Sequence, residues 1–184
     1  MKQFGKLLKG SKGYEIDRLR DVLSLTAVTA GNGVIGKGIR YEKIWDTEFS
    51  EHKLNDESVK SFNSCLIEYY SIDGERKECK QNEKIKFVDV FVDCLAYAYQ
   101  KKKKEFIKLK DYAMQNPQAK KSYRTLFDIK LNKNKSQKEI PGAGISVSTY
   151  SSNDAKKNLL LNIYQDLGLD AEKIVLSMRE AHYC

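Results

Sequence analysis

The sequence predicts a mainly α protein: a compact helical domain with a long central helix, a C-terminal helical hairpin and at most one short β element. Three observations carry this expectation. Apolar residues recur at three- and four-residue steps along most of the chain. Asn116-Pro117 and Gly168 place helix stops where those repeats end. Period-two alternation is confined to a short stretch, Ile145, Val147 and Thr149.

The elements follow in order. Residues 14–30 read as a helix, with Ile16, Leu19, Leu23, Ala27 and Ala30 on one face, although the β-branched run 22–29 leaves a strand open. Glycines at 31, 33, 36 and 38 make an irregular connection, after which Trp45, Phe49 and Leu54 anchor the chain on the core. Asp56 then caps a helix to about residue 70, with Val59, Phe62, Leu66 and Tyr69 inward. A hairpin around Asp73-Gly74 competes with it, because Asp-Gly is a strong two-residue turn signal. The partner strand, Glu75-Arg-Lys-Glu-Cys-Lys80, has almost nothing to bury, so the helix followed by a polar loop is preferred.

The central helix runs from about 83 to 115 on the stripe Ile85, Val88, Val92, Leu95, Tyr99, Phe106, Leu109 and Ala113. Phe87, Phe91, Cys94 and Ala98 widen that stripe, which makes the first half the buried centre of the protein. Lysines 101–104 cover every face of one turn, so there the helix leaves the core or ends a segment. A short helix follows over 118–131, with Tyr123, Leu126, Phe127 and Leu131 inward, and Pro141-Gly-Ala-Gly144 forms a turn or linker. Ser152 or Asn153 caps the next helix (Leu159, Leu160, Ile163, Leu167), and Gly168 with Leu169 ends it. Asp170 caps the last one, with Ile174, Val175, Met178 and Ala181 inward.

With 41% apolar residues and 19 aromatics, the chain has the material for a core in a single domain spanning 1–184. No apolar run approaches the roughly 20 residues of a membrane span, and no apolar segment or cleavage site follows the charged N-terminus. A cytoplasmic protein without a membrane partner is expected. Cysteines 65, 79, 94 and 184 form no Cys-x-x-Cys pair, and His52 and His182 add no zinc-ligand spacing, so neither metal nor cofactor is expected. Cys65 and Cys94 read as core thiols and the two histidines as surface residues.

Charge is the most informative feature. Between residues 101 and 138 there are thirteen Lys and Arg against Glu105, Asp111 and Asp128, a net of +10. The whole chain is +8, so the remainder sums to −2. Such clustering is the footprint of a polyanion-binding surface, since phosphate contacts gain from counterion release. The candidate contacts are Lys101, Lys102, Lys103, Lys104, Lys108, Lys120, Lys121, Arg124, Lys130, Lys133, Lys135 and Lys138. Lysine outnumbers arginine 27 to 6, which favours backbone contact over bidentate base reading. Tyr112, Tyr123 and Phe127, interleaved with the lysines, are candidate stacking platforms; the four-residue spacing of Tyr123 and Phe127 suits a core face better.

Other motifs are weaker. Gly31-Asn-Gly33-Val-Ile-Gly36 matches a dinucleotide fingerprint, but Gly38 interrupts the helix that mechanism requires. Leu23-Ser-Leu-Thr-Ala-Val28 with Val34-Ile-Gly36-Lys37 is similar to the opening of dihydrofolate reductases over about fifteen residues. That family's glycine-containing cofactor segments have no counterpart downstream, and the chain is not assigned to it. Asp73 with Glu78-Cys-Lys80 resembles the D…ExK metal site of nucleases, which sets two carboxylates on a metal and a lysine near the phosphate. The pair joined by Leu167-Gly-Leu-Asp170 has helix-turn-helix spacing, yet its second helix opens Ala171-Glu172-Lys173 and would turn negative charge on phosphate.

The expectation is therefore a nucleic-acid-associated protein that holds RNA or DNA by its phosphates with little sequence specificity, without catalysis. A helical assembly or adaptor subunit, binding a protein partner or a second copy, is the alternative. A small metal-dependent nuclease comes third.

Overall fold

A computed structural model describes residues 43–46, 48–59, 61–78, 84–128 and 136–183, with Lys43–His182 forming one compact unit. The expected mainly α fold is corrected: this unit is a mixed α/β structure in which a five-stranded sheet, a two-stranded sheet and the helices share one hydrophobic core. The readings made on residues 1–42, Cys79, Lys80, Leu131 and Cys184 lie outside the described residues.

Strands β1 (Lys43–Trp45), β2 (Ser50–Lys53), β3 (Cys65–Ile72) and β4 (Glu75–Glu78) come first. Helices α1 (Phe87–Lys101), α2 (Lys103–Gln115) and α3 (Lys121–Phe127) follow. The hairpin β5 (Gln137–Ile140) and β6 (Ile145–Ser148), helix α4 (Asn153–Leu167) and strand β7 (Ile174–Tyr183) complete the order. In the main sheet the order is β1-β7-β3-β4, with β2 also on β7.

The helix expected from Asp56 to residue 70 is β3 instead, and Asp73-Gly74 makes the hairpin to β4. Both turn residues have positive φ, +52° and +84°, as a two-residue turn matching the strand twist requires. Ile67, Tyr70 and Ile72 face the core, and a bulge between Ile67 and Tyr69 breaks strict alternation. Val59 and Phe62 precede the strand, so the helical spacing of residues 59, 62, 66 and 69 spans two different local structures. β4 buries nothing because it is an edge: its four residues, Glu75–Glu78, are all exposed and all charged, which discourages further strand pairing. Asp56 caps only a local turn, its Oδ1 accepting from Ser58 N at 2.8 Å.

The second correction is at the C-terminus. Asp170 caps a single 3-10 turn (Ala171–Lys173), and the chain continues as β7, not as a helix. Ile174, Leu176 and Met178 alternate into the core, and β7 pairs antiparallel with β2 on one side and β3 on the other. With no second helix there, the helix-turn-helix reading falls. The first helix of the expected hairpin is present as α4, ended by Gly168 at φ +64° with Leu169 N bonded back to Tyr164 O at 2.8 Å.

The central helix is two helices, broken at Lys102 (φ −135°, ψ 48°), as the all-face lysine turn anticipated. Its first half, α1, is buried on most sides because it packs on β3, β5 and α4. Tyr99 and Phe106 meet edge-on across the break at 5.8 Å, and Phe106 meets Phe127 of α3 at 5.9 Å, so the bend is held by packing. At the other end Asp154 accepts from Phe62 N at 2.6 Å and Ser61 Oγ at 2.8 Å, clamping α4 to the entry of β3. Among the described residues no helix is long and apolar enough to cross a membrane.

Candidate nucleic-acid interface

The twelve basic residues named as candidate phosphate contacts fall into three groups. Lys130, Lys133 and Lys135 lie outside the described residues. Three others are engaged by carboxylates: Lys101 with Asp73 at 3.3 Å, Lys120 with Asp166 at 3.1 Å and Lys138 with Asp89. The remaining six occupy the break, α2 and α3. Lys102 is half-buried at the break, and Arg124 donates from Nη1 to Pro117 O at 3.3 Å. Lys103, Lys104, Lys108 and Lys121 make no ion pair among the described residues, although Lys103 sits 5.5 Å from the Tyr99 ring.

Helical geometry explains the arrangement on α2. Phe106 and Ala113 turn inward, which leaves Lys104, Lys108 and Tyr112, at four-residue steps, on the opposite face. Two like charges one turn apart cost a few tenths of a kcal/mol. Lys110 engages Asp111 at 3.3 Å, which leaves that carboxylate occupied. Tyr112 is 51% exposed at the end of the row, so a ring and two ammonium groups share one solvent face.

The other two stacking candidates are core residues, as their spacing suggested. Tyr123 is 2% exposed and its hydroxyl donates to Asp166 Oδ2 at 2.6 Å; Phe127 is buried against Phe106. Burial and the Asp166 carboxylate raise the Tyr123 phenol well above its ordinary range.

Sequence reasoning missed a cleft of about 330 Å³ between α3, the end of β6 and the first turns of α4. Lys121, Ser122, Thr125 and Leu126 line it from α3, Ser148, Tyr150 and Ser151 from the strand exit, and Ala155 and Leu159 from α4. Behind Ser151 lies Lys156, only 4% exposed, whose ammonium donates to the Ser151 carbonyl. Burial lowers its pKa below the usual lysine value. Lys156 occupies the inward stripe of α4 with Leu160, Ile163 and Leu167, where an apolar residue is expected. The hydroxyl-rich run 146–152 was the available signal, but only a fold that brings α3 beside it makes a cleft.

Of the nuclease motif Asp73 and Glu78 are described, and both carboxylates are engaged elsewhere, while Lys80 lies outside the described residues. Asp73 sits in the turn, where it accepts from Lys173 at 2.8 Å and from the Tyr97 hydroxyl at 2.8 Å. Glu78 pairs with Arg76 at 2.7 Å and stands opposite Tyr69, three residues along β4 from Glu75 at the turn, or about 10 Å at the rise of a strand. No group of three or more His, Cys, Asp or Glu suited to a metal occurs among the described residues. His52 bonds Asp56 at 3.0 Å and Ser50 at 2.8 Å on an exposed strand. Cys94 is buried, and the half-buried Cys65 donates from Sγ to Phe62 O at 3.2 Å.

No family model, curated protein or solved structure matches the chain.

Proposed function

We propose that this protein binds nucleic acid through its phosphate backbone, with little sequence specificity, using Lys103, Lys104 and Lys108 of α2 and Lys121 of α3. One observation carries the reading: these exposed ammonium groups make no ion pair among the described residues, whereas Lys101, Lys120 and Lys138 do. An unneutralised lysine is the one that releases counterions when it meets a phosphate. Tyr112, exposed on the same face as Lys104 and Lys108, adds a ring suited to stacking on a base.

Fluorescence anisotropy of a labelled mixed-sequence oligonucleotide, titrated across salt, tests the reading. Affinity should fall linearly in log–log form as salt rises. Replacing Lys104, Lys108 and Lys121 together by Gln should flatten that slope by about 2–3, one phosphate contact per lysine. Absence of binding by the unmodified protein at low salt would remove the proposal.

A further inference from the structure

The cleft beside Lys121 has the makings of a binding site in its own right. Its walls are mainly apolar, from Leu126, Leu159 and the Ala155 methyl, and its 330 Å³ lies at the small end of ligand pockets. That is room for one planar ring system with its sugar, and far too little for a duplex. Tyr150, 59% exposed, stands at the cleft as the most exposed large apolar residue described. Inside, Ser148 is only 7% exposed and its hydroxyl has no hydrogen-bond partner among the described residues. A buried hydroxyl with nothing to bond is rare in folded proteins and asks for an explanation.

We propose that this cleft seats one unstacked nucleotide of a single strand, with the base beside Tyr150 and its edge bonded to Ser148. The inference rests on the nucleic-acid reading above and deepens it. Lys121 joins the two regions, since it belongs to the set that makes no ion pair among the described residues and also lines the cleft. Its ammonium meets the phosphate of the seated nucleotide. Ser148 can donate or accept, which suits any base, and stacking is indifferent to base identity. The buried Lys156 ammonium, one hydrogen bond behind Ser151, adds positive potential to the same wall.

The test compares a labelled single-stranded 12-mer with a blunt duplex of the same sequence and with free nucleoside monophosphates. The full chain should bind the single strand about tenfold tighter than the duplex, and tighter than any monophosphate. Tyr150→Ala should remove about tenfold of single-strand affinity, leaving duplex affinity and salt slope unchanged. Ala155→Trp, an exposed position at the cleft, should do the same by filling it. If both variants bind the single strand as the unmodified protein does, while the Lys104 and Lys108 replacements weaken it, the cleft proposal fails and the basic face stands. If no nucleic acid binds at low salt, both fail. Monophosphate binding as tight as that of the 12-mer would overturn the assignment to a strand.

Discussion

The Tyr123 hydroxyl donates to Asp166 Oδ2 at 2.6 Å, and Lys120 reaches the same oxygen at 3.1 Å. This one carboxylate ties α3 to α4 and takes two members of the basic segment out of contention as ligand contacts. Tyr123→Phe should keep the ring packing and lose one hydrogen bond to a charged acceptor, at about 1 kcal/mol of stability. Urea unfolding measures the loss, and nucleic-acid affinity should not move. A fall in affinity without a fall in stability would contradict the placement of Tyr123 in the core.

Phe106 is the pin of the α1–α2 break. It is fully buried and contacts the Tyr99 and Phe127 rings edge-on from either side. Phe106→Ala should cost about 3–5 kcal/mol, the usual range for a buried aromatic. Because Lys102 leaves helical geometry there, the variant should also loosen amide protection across residues 99–106 before the rest of α1. Hydrogen exchange read by mass spectrometry gives both values.

What the sequence revealed and concealed follows from the length scale of each signal. The α1 stripe was legible because Phe87, Phe91, Cys94 and Ala98 repeat locally, and all four are buried. The stop at Gly168 was legible for the same reason. β7 was not: Ile174, Val175 and Met178 fit a helical spacing as well as Ile174, Leu176 and Met178 fit a strand, and only pairing with β2 and β3 decides between them. β3 was not legible because the helical spacing of Val59, Phe62, Leu66 and Tyr69 begins ahead of the strand and runs into it. The basic segment was legible as composition, but whether a given lysine is neutralised depends on carboxylates as distant as Asp166 and Asp89. The cleft needs α3, β6 and α4 together, which no local pattern encodes.

Asp73 anchors the β3–β4 turn, and Lys173, the Tyr97 hydroxyl and Lys101 together hold its carboxyl well below the usual range. Because the folded value is depressed, this stabilisation is present above the ordinary carboxylate pKa near 3.8 and fades as pH falls towards the folded value. Asp73→Asn keeps a residue that tolerates positive φ and deletes the charge. The variant should therefore show a shallower loss of stability below pH 4 than the unmodified protein. Parallel acid limbs for the two proteins would show that Asp73 is not the group responsible.

The paired lysines give a control for the functional reading. Replacing Lys101, Lys120 and Lys138 together by Gln removes the same formal charge as replacing Lys104, Lys108 and Lys121. If neutralisation by carboxylates is what distinguishes the sets, the first triple should change the salt slope by less than about 1, against about 2–3 for the second. Equal slopes for the two variants would show that total charge, and not the arrangement on α2 and α3, governs binding.

Lys156 is the place where a charge has been buried for a single carbonyl contact. Its folded-state pKa lies below the ordinary 10.5, lowered by burial. At any pH between those two values the unfolded chain binds the proton more fully than the folded one, so this residue makes stability rise with pH across that window. The buried tyrosines 70, 123 and 164 act oppositely, since their phenols are raised in the fold. The Lys156 contribution therefore has to be read as a difference between proteins. Lys156→Met keeps the length of the side chain and removes the charge, and should be neutral or stabilising by about 1 kcal/mol near pH 7. The advantage of the variant should shrink as pH approaches 10.5, when the unmodified lysine loses its proton in both states. A pH-independent difference, measured by denaturant titration from pH 7 to 10, would place the Lys156 ammonium in contact with solvent.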